Sequence, residues 1–288
     1  MSSVLRPSAP QVEPLTDRSR AELVRFADED PYVNSVIRAR LASAGALDPR
    51  RLGGTVLATR DHTGGLSGAL FSGGNLLPVG GGPDQWRTLA GHLLNAPRVC
   101  SSIIGRARAV DALWQVLSRA WDAPRAVRSA QPLLVLDRDS RPGRGDRRVR
   151  RIRRDELDRY EPAAAAMFAE ELGISPYRIT TAADYRRRVA GLIRSGRAFG
   201  IFDRDGEVLF KADIGAVSPH TCQVQGVWVR PDQRGQGIGG AALAEVLREA
   251  MTLAPTVSLY VNDFNVPARR MYERLGMRQV ATLSTILF

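Results

Sequence analysis

A glycine-rich segment in the last third of the chain has the residue types of an anion-binding loop. It reads Arg234-Gly235-Gln236-Gly237-Ile238-Gly239, between a strand pattern ending at Val229 and a helical pattern beginning near Gly239. Glycines lack a Cβ, so successive backbone N–H groups can turn toward one point, and a helix N-terminus carries partial positive charge. With an arginine at its mouth, the loop suits a phosphate or pyrophosphate.

The same glycines fit two other interpretations. Gly235, Gly237 and Gly240 have the G-x-G-x-x-G spacing of dinucleotide-binding folds, and Asp263 follows 23 residues later. Five residues (230–234) separate the strand from the first glycine, however, and only 25 residues follow Asp263, too few for the rest of a parallel sheet. A glycine-rich loop without a ligand is the other alternative.

The loop resembles the Gln/Arg-x-x-Gly-x-Gly/Ala signature of the GNAT acetyltransferases. A second segment, 260–277, is similar to the part of that family in which an Asn begins a helix bearing a Tyr, followed by Leu-Gly-Phe; here Met277 replaces the Phe. The resemblance covers residues 148–288. The two-domain layout resembles actinobacterial GNAT proteins with an uncharacterised N-terminal domain. The resemblance to the GNAT family implies an α/β fold with a mixed, mostly antiparallel sheet flanked by helices.

The resemblance implies acetyl-CoA as the donor, and no metal. The cofactor-binding residues it implies are Val227, Trp228, Val229, Arg234, Gly235, Gln236, Gly237, Ile238, Gly239, Asn265 and Ala268. The loop would hold the pyrophosphate, and backbone N–H groups of 227–229 would hold the pantetheine and the thioester carbonyl. Gly226 suits a β-bulge beside them. Asn265 is also a candidate N-cap.

The resemblance also implies catalytic residues. Tyr272 would protonate the leaving thiolate, since a phenol with a pKa of about 10 can donate to the conjugate base of a thiol near 8.5. The alternative is a core tyrosine on the apolar face of its helix. Glu170 and Glu171, at the end of a helix predicted over 163–172, are candidates for the base that deprotonates the amine. Asp213 or a bound water is another candidate.

Two series of similar elements follow one another along the chain. In the first half, the predicted strands are 55–59, 66–71, 75–79, 99–104 and 131–136, and the helices are 83–94 and 109–121. In the second half, the predicted strands are 199–202, 208–214, 224–229, 257–261 and 283–288, and the helices are 240–251 and 267–275. The order predicts a duplicated α/β unit, so the fold class is tandem GNAT-like domains.

Spacing supports the duplication. Val257 lies 158 residues after Val99, and Tyr272 lies 158 after Trp114, with no gap between. The first half lacks eight residues at the glycine-rich loop, and Ala107 stands where the second half has Asn265. We therefore predict a degenerate GNAT-like domain at 1–137, an Arg-rich linker at 138–147 and a catalytic domain at 148–288.

Composition limits the class of protein. With 288 residues, 44% hydrophobic and 25% charged, the chain is neither disordered nor fibrous. It has no apolar run near the ~20 residues of a membrane span, and 1–14 lack the apolar core of a signal peptide. Two cysteines, Cys100 and Cys222, form no disulfide framework, and three scattered histidines argue against zinc. A cytoplasmic protein is expected.

The net charge of +11 is concentrated. Nine arginines and two acids lie between residues 138 and 154. Because Pro and Gly interrupt this stretch and no aromatic residue interleaves it, a solvated linker is favoured over a nucleic-acid-binding segment. Lys211 is the only lysine, and the other 40 cations are arginines. Its place on a predicted strand hints at a role in binding.

Together these features predict an N-acetyltransferase that moves an acetyl group from acetyl-CoA to an amine by direct transfer. A non-catalytic acyl-CoA-binding sensor is the alternative from another class. The expected partners are acetyl-CoA and an amine acceptor, without a membrane or nucleic acid, and the expected assembly is a monomer or a homodimer.

Overall fold

The computed structural model of the protein describes residues 11–288, which form two compact units. The signal-peptide prediction rests on 1–14, of which 1–10 lie outside the described residues. The strands are β1 (Glu13–Pro14), β2 (Gly54–Arg60), β3 (Leu66–Gly73), β4 (Leu76–Gly80), β5 (Ser102–Arg106), β6 (Ala126–Leu136), β7 (Arg150–Arg151), β8 (Ala198–Phe202), β9 (Val208–Val217), β10 (Cys222–Val229), β11 (Val257–Tyr260) and β12 (Arg278–Leu287). The helices are α1 (Arg20–Asp28), α2 (Ser35–Ala44), α3 (Pro49–Leu52), α4 (Pro83–Leu93), α5 (Ala107–Leu117), α6 (Leu157–Leu172), α7 (Ala182–Arg194), α8 (Ile238–Ala250) and α9 (Val266–Arg274).

Unit 1 combines the described residues up to Leu133 with two later segments, Val261–Phe264 and Val280–Phe288. Its strands follow the order β1-β2-β3-β4-β5-β12. The strand β12 pairs antiparallel with β5, with Leu283 opposite Arg106 at one end of the register. The strand that the sequence assigns to the close of the second half therefore lies in the sheet of unit 1.

Unit 2 consists of Leu134–Tyr260 and Asn265–Gln279, with strand order β11-β10-β9-β8-β7. β10 is parallel to β11, and the β9–β10, β8–β9 and β7–β8 pairs are antiparallel. This confirms the mixed, mostly antiparallel sheet. β9 is buried along nearly its whole length because it is a central strand covered by α6 and α8. The apolar stripe of α8, which includes Leu243 and Val246, is fully buried.

The element bounds correct two predictions in detail. The helix predicted over 163–172 begins at Leu157 and passes through Pro162. Proline lacks an N–H, so the helix forgoes one i→i−4 hydrogen bond at Pro162, near its N-terminal end. The strand predicted over 99–104 is Ser102–Arg106, and Val99 is 73% exposed.

The predicted ungapped match between the halves is wrong. β5 leads directly into α5, whose N-cap is Arg106, whereas five residues (261–265) separate β11 from α9. The counterpart of Asn265 is therefore Arg106 rather than Ala107. The connection from β4 to α4 is two residues (81–82), and that from β10 to α8 is eight (230–237). The first half thus lacks six residues there, not eight.

The Arg-rich segment 138–147 packs on α8. The backbone N–H of Asp146 donates to the Ala241 carbonyl at 3.0 Å, and Arg248 donates to the carbonyls of Pro142, at 3.1 Å, and Gly143. Its own arginine side chains are exposed. The segment is therefore held by its backbone while its charges face solvent.

Candidate active site

A break in the β10 ladder opens the candidate site in unit 2. Gly226 has φ +59°, and the β9–β10 register shifts between Gln225 and Trp228, which confirms the bulge predicted at Gly226. On its other side, β10 pairs with β11 only from Cys222 to Gln223. Beyond that point the two strands diverge, and a cavity opens between the end of β10 and α9.

The loop after β10 has the backbone of an anion cradle. Gly235 and Gly237 have φ of +77° and +79°, a left-handed conformation that residues other than glycine rarely adopt. A Cβ added at either position would meet no other atom within 4 Å. Gly237 is the N-cap of α8, and no side chain caps this helix. The first-turn N–H groups of α8 therefore keep free hydrogen-bonding capacity at its positive end.

The cavity has a volume of about 700 Å³. The predicted site residues that line it are Glu170, Val227, Trp228, Val229, Arg234, Gly235, Gly237, Ile238, Gly239, Asn265, Ala268 and Tyr272. Gln236 and Glu171 are exposed and do not belong to this lining. Lining residues that sequence reasoning missed are Gln233, Gly240, Pro267, Met271, Arg274 and Leu275. Arg274 could have been found, since it lies on the helix that carries Tyr272.

An ion pair spans the mouth of the cavity. The Arg234 guanidinium donates to the Glu170 carboxylate at 2.7 Å and to the Val229 carbonyl at 3.0 Å. The Trp228 indole N–H donates to the same Glu170 oxygen at 3.1 Å. Chiefly through Arg234, these bonds hold the pKa of Glu170 below its usual range. In this state Glu170 is a poor proton acceptor and a partner of the predicted phosphate-binding arginine.

Tyr272 lies on the buried face of α9. Asn265 caps this helix as predicted, since its side-chain oxygen accepts from the Ala268 N–H at 3.3 Å. Tyr272 is 6% exposed, and burial, together with the negative charge of Glu171, raises its pKa well above the usual range. The phenol therefore stays protonated at ordinary pH, as a proton donor requires. The structure thus gives Tyr272 both its packing role and access to the cavity.

Asp213 is held in a buried network. Its carboxylate accepts from Lys211 Nζ at 2.7 Å and, on the other oxygen, from the Tyr160 hydroxyl at 2.7 Å. Asp213 is 4% exposed and Lys211 is fully buried. Neither side chain lines the cavity. This placement argues against Asp213 as the base that contacts an acceptor amine.

The corresponding region of unit 1 is filled by its own side chains. The Gly82 N–H, at the N-cap of α4, donates to the Gln85 side-chain oxygen at 3.1 Å, so this one donor at the helix end has an internal partner. A Cβ on Gly80 would lie 2.6 Å from Phe26. Trp114 packs against Phe288, with ring centroids 5.7 Å apart. These contacts are those of a packed core.

The described residues offer neither a membrane-spanning helix nor a metal-binding cluster. Across residues 11–288, no helix combines the length and the apolar character needed to cross a membrane. Among the same residues, no group of three or more His, Cys, Asp and Glu side chains is arranged to hold a metal ion.

Comparison with solved structures identifies the fold. An acetyltransferase from the GNAT family of Colwellia psychrerythraea is 13% identical, with 96% of this chain and 99% of that chain covered and a TM-score of 0.58. A GCN5-related N-acetyltransferase from Sphaerobacter thermophilus is 15% identical, with 97% and 95% covered and a TM-score of 0.61. A tandem GNAT protein from the clavulanic acid biosynthesis pathway is 15% identical, with 96% and 97% covered and a TM-score of 0.52.

Family models match two overlapping parts of the chain. Residues 54–160 match a domain of unknown function (DUF4081), and residues 148–277 match the acetyltransferase (GNAT) family. A comparison with curated proteins finds no match. The fold is therefore that of tandem GNAT proteins, and residues 148–277 belong to the acetyltransferase (GNAT) family.

Proposed function

We propose that unit 2 transfers an acetyl group from acetyl-CoA to an amine acceptor by direct transfer. One observation carries the proposal: the uncapped N-terminus of α8, behind two left-handed glycines, opens into the same cavity as Tyr272. An anion cradle and a buried proton donor thus share one cavity. Acyl transfer is the general activity that the GNAT fold supports.

The residues present fit the donor. The N–H groups at the start of α8 and the Arg234 guanidinium offer donors to a pyrophosphate. Arg274 adds a second cation to the lining. The residues of the diverging strand end, Val227 to Val229, lie along the cavity wall beyond the loop, where the pantetheine and its thioester would extend.

Acetyl transfer forms a C–N bond, breaks a C–S bond and moves protons. Tyr272 would give its hydroxyl proton to the thiolate as the C–S bond breaks. The bulge next to Val227 would offer backbone N–H groups to the negative charge that develops on the thioester oxygen. The amine must lose its surplus proton to a base. Glu170, once free of Arg234, and Glu171 remain the proposed candidates.

Direct transfer is favoured over an acyl-enzyme because no suitable thiol faces the cavity. Cys222, the cysteine of unit 2, is fully buried, and its Sγ donates to the Ala250 carbonyl at 3.3 Å. Burial raises its pKa to about 11. Since the thiolate is the nucleophile, Cys222 is unsuited to carry an acyl group. Among residues 11–288 no thiol is thus placed to carry an acyl group, and the amine would attack the thioester directly.

Donor binding and turnover are the two tests. Calorimetry with acetyl-CoA should give one site per chain, and release of free thiol should be measured against a panel of amine acceptors. Arg234→Ala should weaken binding, whereas Arg187→Ala, an exposed arginine of α7, should not. Binding without thiol release from any amine would indicate the sensor alternative. No binding would refute the proposal. The compartment remains a prediction from the sequence.

A further inference from the structure

The only lysine of the chain is buried directly beneath the bulge. Lys211 Nζ donates to the Asp213 carboxylate at 2.7 Å and to the Gly226 carbonyl at 2.9 Å. It also lies 5.6 Å from the centroid of the Tyr160 ring, whose hydroxyl donates to Asp213. The network therefore runs from α6, through β9, to the bulge of β10.

The register shows that this pair brackets the bulge. On β9, Lys211 is opposite Trp228 and Asp213 is opposite Gln225. One residue of β9, Ala212, thus faces two residues of β10, Gly226 and Val227. A bulge of this kind leaves a residue outside the regular ladder, and Lys211 supplies the hydrogen bond that the Gly226 carbonyl accepts.

Because the peptide bond is planar, the hydrogen bond from Lys211 to the Gly226 carbonyl also sets the direction of the Val227 N–H. The Gly226 carbonyl and the Val227 N–H belong to one trans peptide unit and point in opposite directions. Because Lys211 holds the carbonyl on its own side, the N–H must point away from Lys211. Val227 lines the cavity. Lys211 therefore fixes the direction of a donor in the cavity wall without reaching the cavity itself.

The crowded site suits an ammonium group better than a guanidinium. A Cβ on residue 226 would lie 2.9 Å from Lys211 Nζ and 2.9 Å from Met167 Cε, so Gly226 leaves no unused space. A guanidinium is larger and planar, whereas an ammonium is a compact charge with three donors. This explains why a chain with 40 arginines has a lysine here.

Stability alone does not account for the buried pair. Removing two charges from water is costly, and well-packed apolar residues in place of a buried ion pair are often neutral or stabilising. The geometry points to another role. We propose that Lys211, with Asp213 and Tyr160, is a positioning group that fixes the bulge peptide and aims the Val227 N–H at the thioester carbonyl of the donor.

This proposal rests on the proposed function. The experiment therefore distinguishes failure of the positioning role of Lys211 from failure of acetyl transfer itself. The double variant Lys211→Met/Asp213→Leu removes both charges together and keeps the site filled. We expect CoA affinity within about twofold of the wild type and kcat lower by about 10²-fold, the range for losing one oxyanion donor. The infrared carbonyl band of bound acetyl-CoA should shift in the wild type and lose that shift in the variant.

A second variant covers the case in which the double variant does not fold. Tyr160→Phe keeps the ring and removes only the hydrogen bond to Asp213, so it should give a smaller loss of kcat and of the carbonyl shift. Ser258→Ala, a fully buried hydroxyl on β11 away from the bulge, is the matched control and should change neither.

The outcomes are distinct. A folded double variant, or Tyr160→Phe, with the wild-type carbonyl shift and kcat would overturn the role of Lys211 and leave the proposed function standing. A wild type that binds no acetyl-CoA would overturn both. Loss of the carbonyl shift with retained CoA affinity would support the positioning role. Removal of a merely structural residue would weaken CoA binding as well as the shift.

Discussion

Tyr272→Phe is the sharpest test of the proposed chemistry, because it removes one hydroxyl and keeps the ring that packs in the core. We expect kcat to fall about 10²-fold, which corresponds to ~2.7 kcal/mol in activation free energy. General acid catalysis supplies about 10² to 10⁴ in rate. The lower end applies here since burial raises the pKa of Tyr272, so that full proton transfer to a thiolate is less favourable.

The assay must separate chemistry from binding and folding. Single-turnover thiol release gives the chemical step, calorimetry gives the acetyl-CoA affinity, and denaturant unfolding gives stability. We expect the last two to be near wild type, because a neutral hydroxyl contributes only about 1 kcal/mol. Tyr185→Phe is the matched control: Tyr185 is equally buried, with its pKa raised to about 12, but does not line the cavity.

The pKa of the Tyr272 phenol provides a second test of its role. The negative charge of Glu171 helps to raise the pKa of Tyr272. Glu171→Gln should therefore lower that pKa, measured by the ultraviolet absorbance of the phenolate against a Tyr272→Phe reference, since kcat would also respond to the loss of a candidate base. A Tyr272→Phe enzyme with kcat within about threefold of wild type in a chemistry-limited assay would refute the reasoning and leave Tyr272 as a core residue.

Five further substitutions, one of them a control, concern the loop, its partner Glu170 and unit 1. Arg234→Ala should weaken acetyl-CoA binding by about 1–3 kcal/mol in calorimetry, the range for a charge-assisted hydrogen bond. Gly237→Ala should destabilise the loop by about 1–2 kcal/mol through its left-handed backbone, whereas Gly240→Ala meets only an ordinary contact at 3.7 Å and should melt as wild type. Glu170→Gln should tighten acetyl-CoA binding by up to about fivefold, since a half-exposed carboxylate no longer competes for the arginine. Phe288→Ala should cost unit 1 about 1–3 kcal/mol in tryptophan-monitored unfolding, because a partly buried ring contact is lost.

Local features of the site could be predicted because local rules govern them. Gly235 and Gly237 had to be glycines for a left-handed loop, and Asn265 before a proline is a recognisable helix start. The bulge at Gly226 followed from a glycine within a strand. Each of these depends on only a few neighbouring residues, so the sequence carries the information directly.

Contacts between distant residues could not be predicted in the same way. Glu170 and Arg234 are 64 residues apart, and their pairing depends on where α6 ends relative to the loop. Lys211 and Asp213 share a face of one strand, but nothing in that spacing indicates Tyr160 as the third member. The pairing of β12 with the sheet of unit 1 could not be predicted either, because the apolar pattern of β12 would suit the sheet of either unit.

The position of β12 has a consequence for how the protein is made. Unit 1 is nearly all translated by residue 133, yet its sheet receives the segment Val280–Phe288 only after the residues of unit 2 have been synthesised. At about 5–20 residues per second, β5 then waits roughly ten to thirty seconds on the ribosome with one edge unpaired. An open strand edge can pair with another nascent chain. The speed at which residues 134–279 are translated therefore sets how long the newly made protein is open to aggregation.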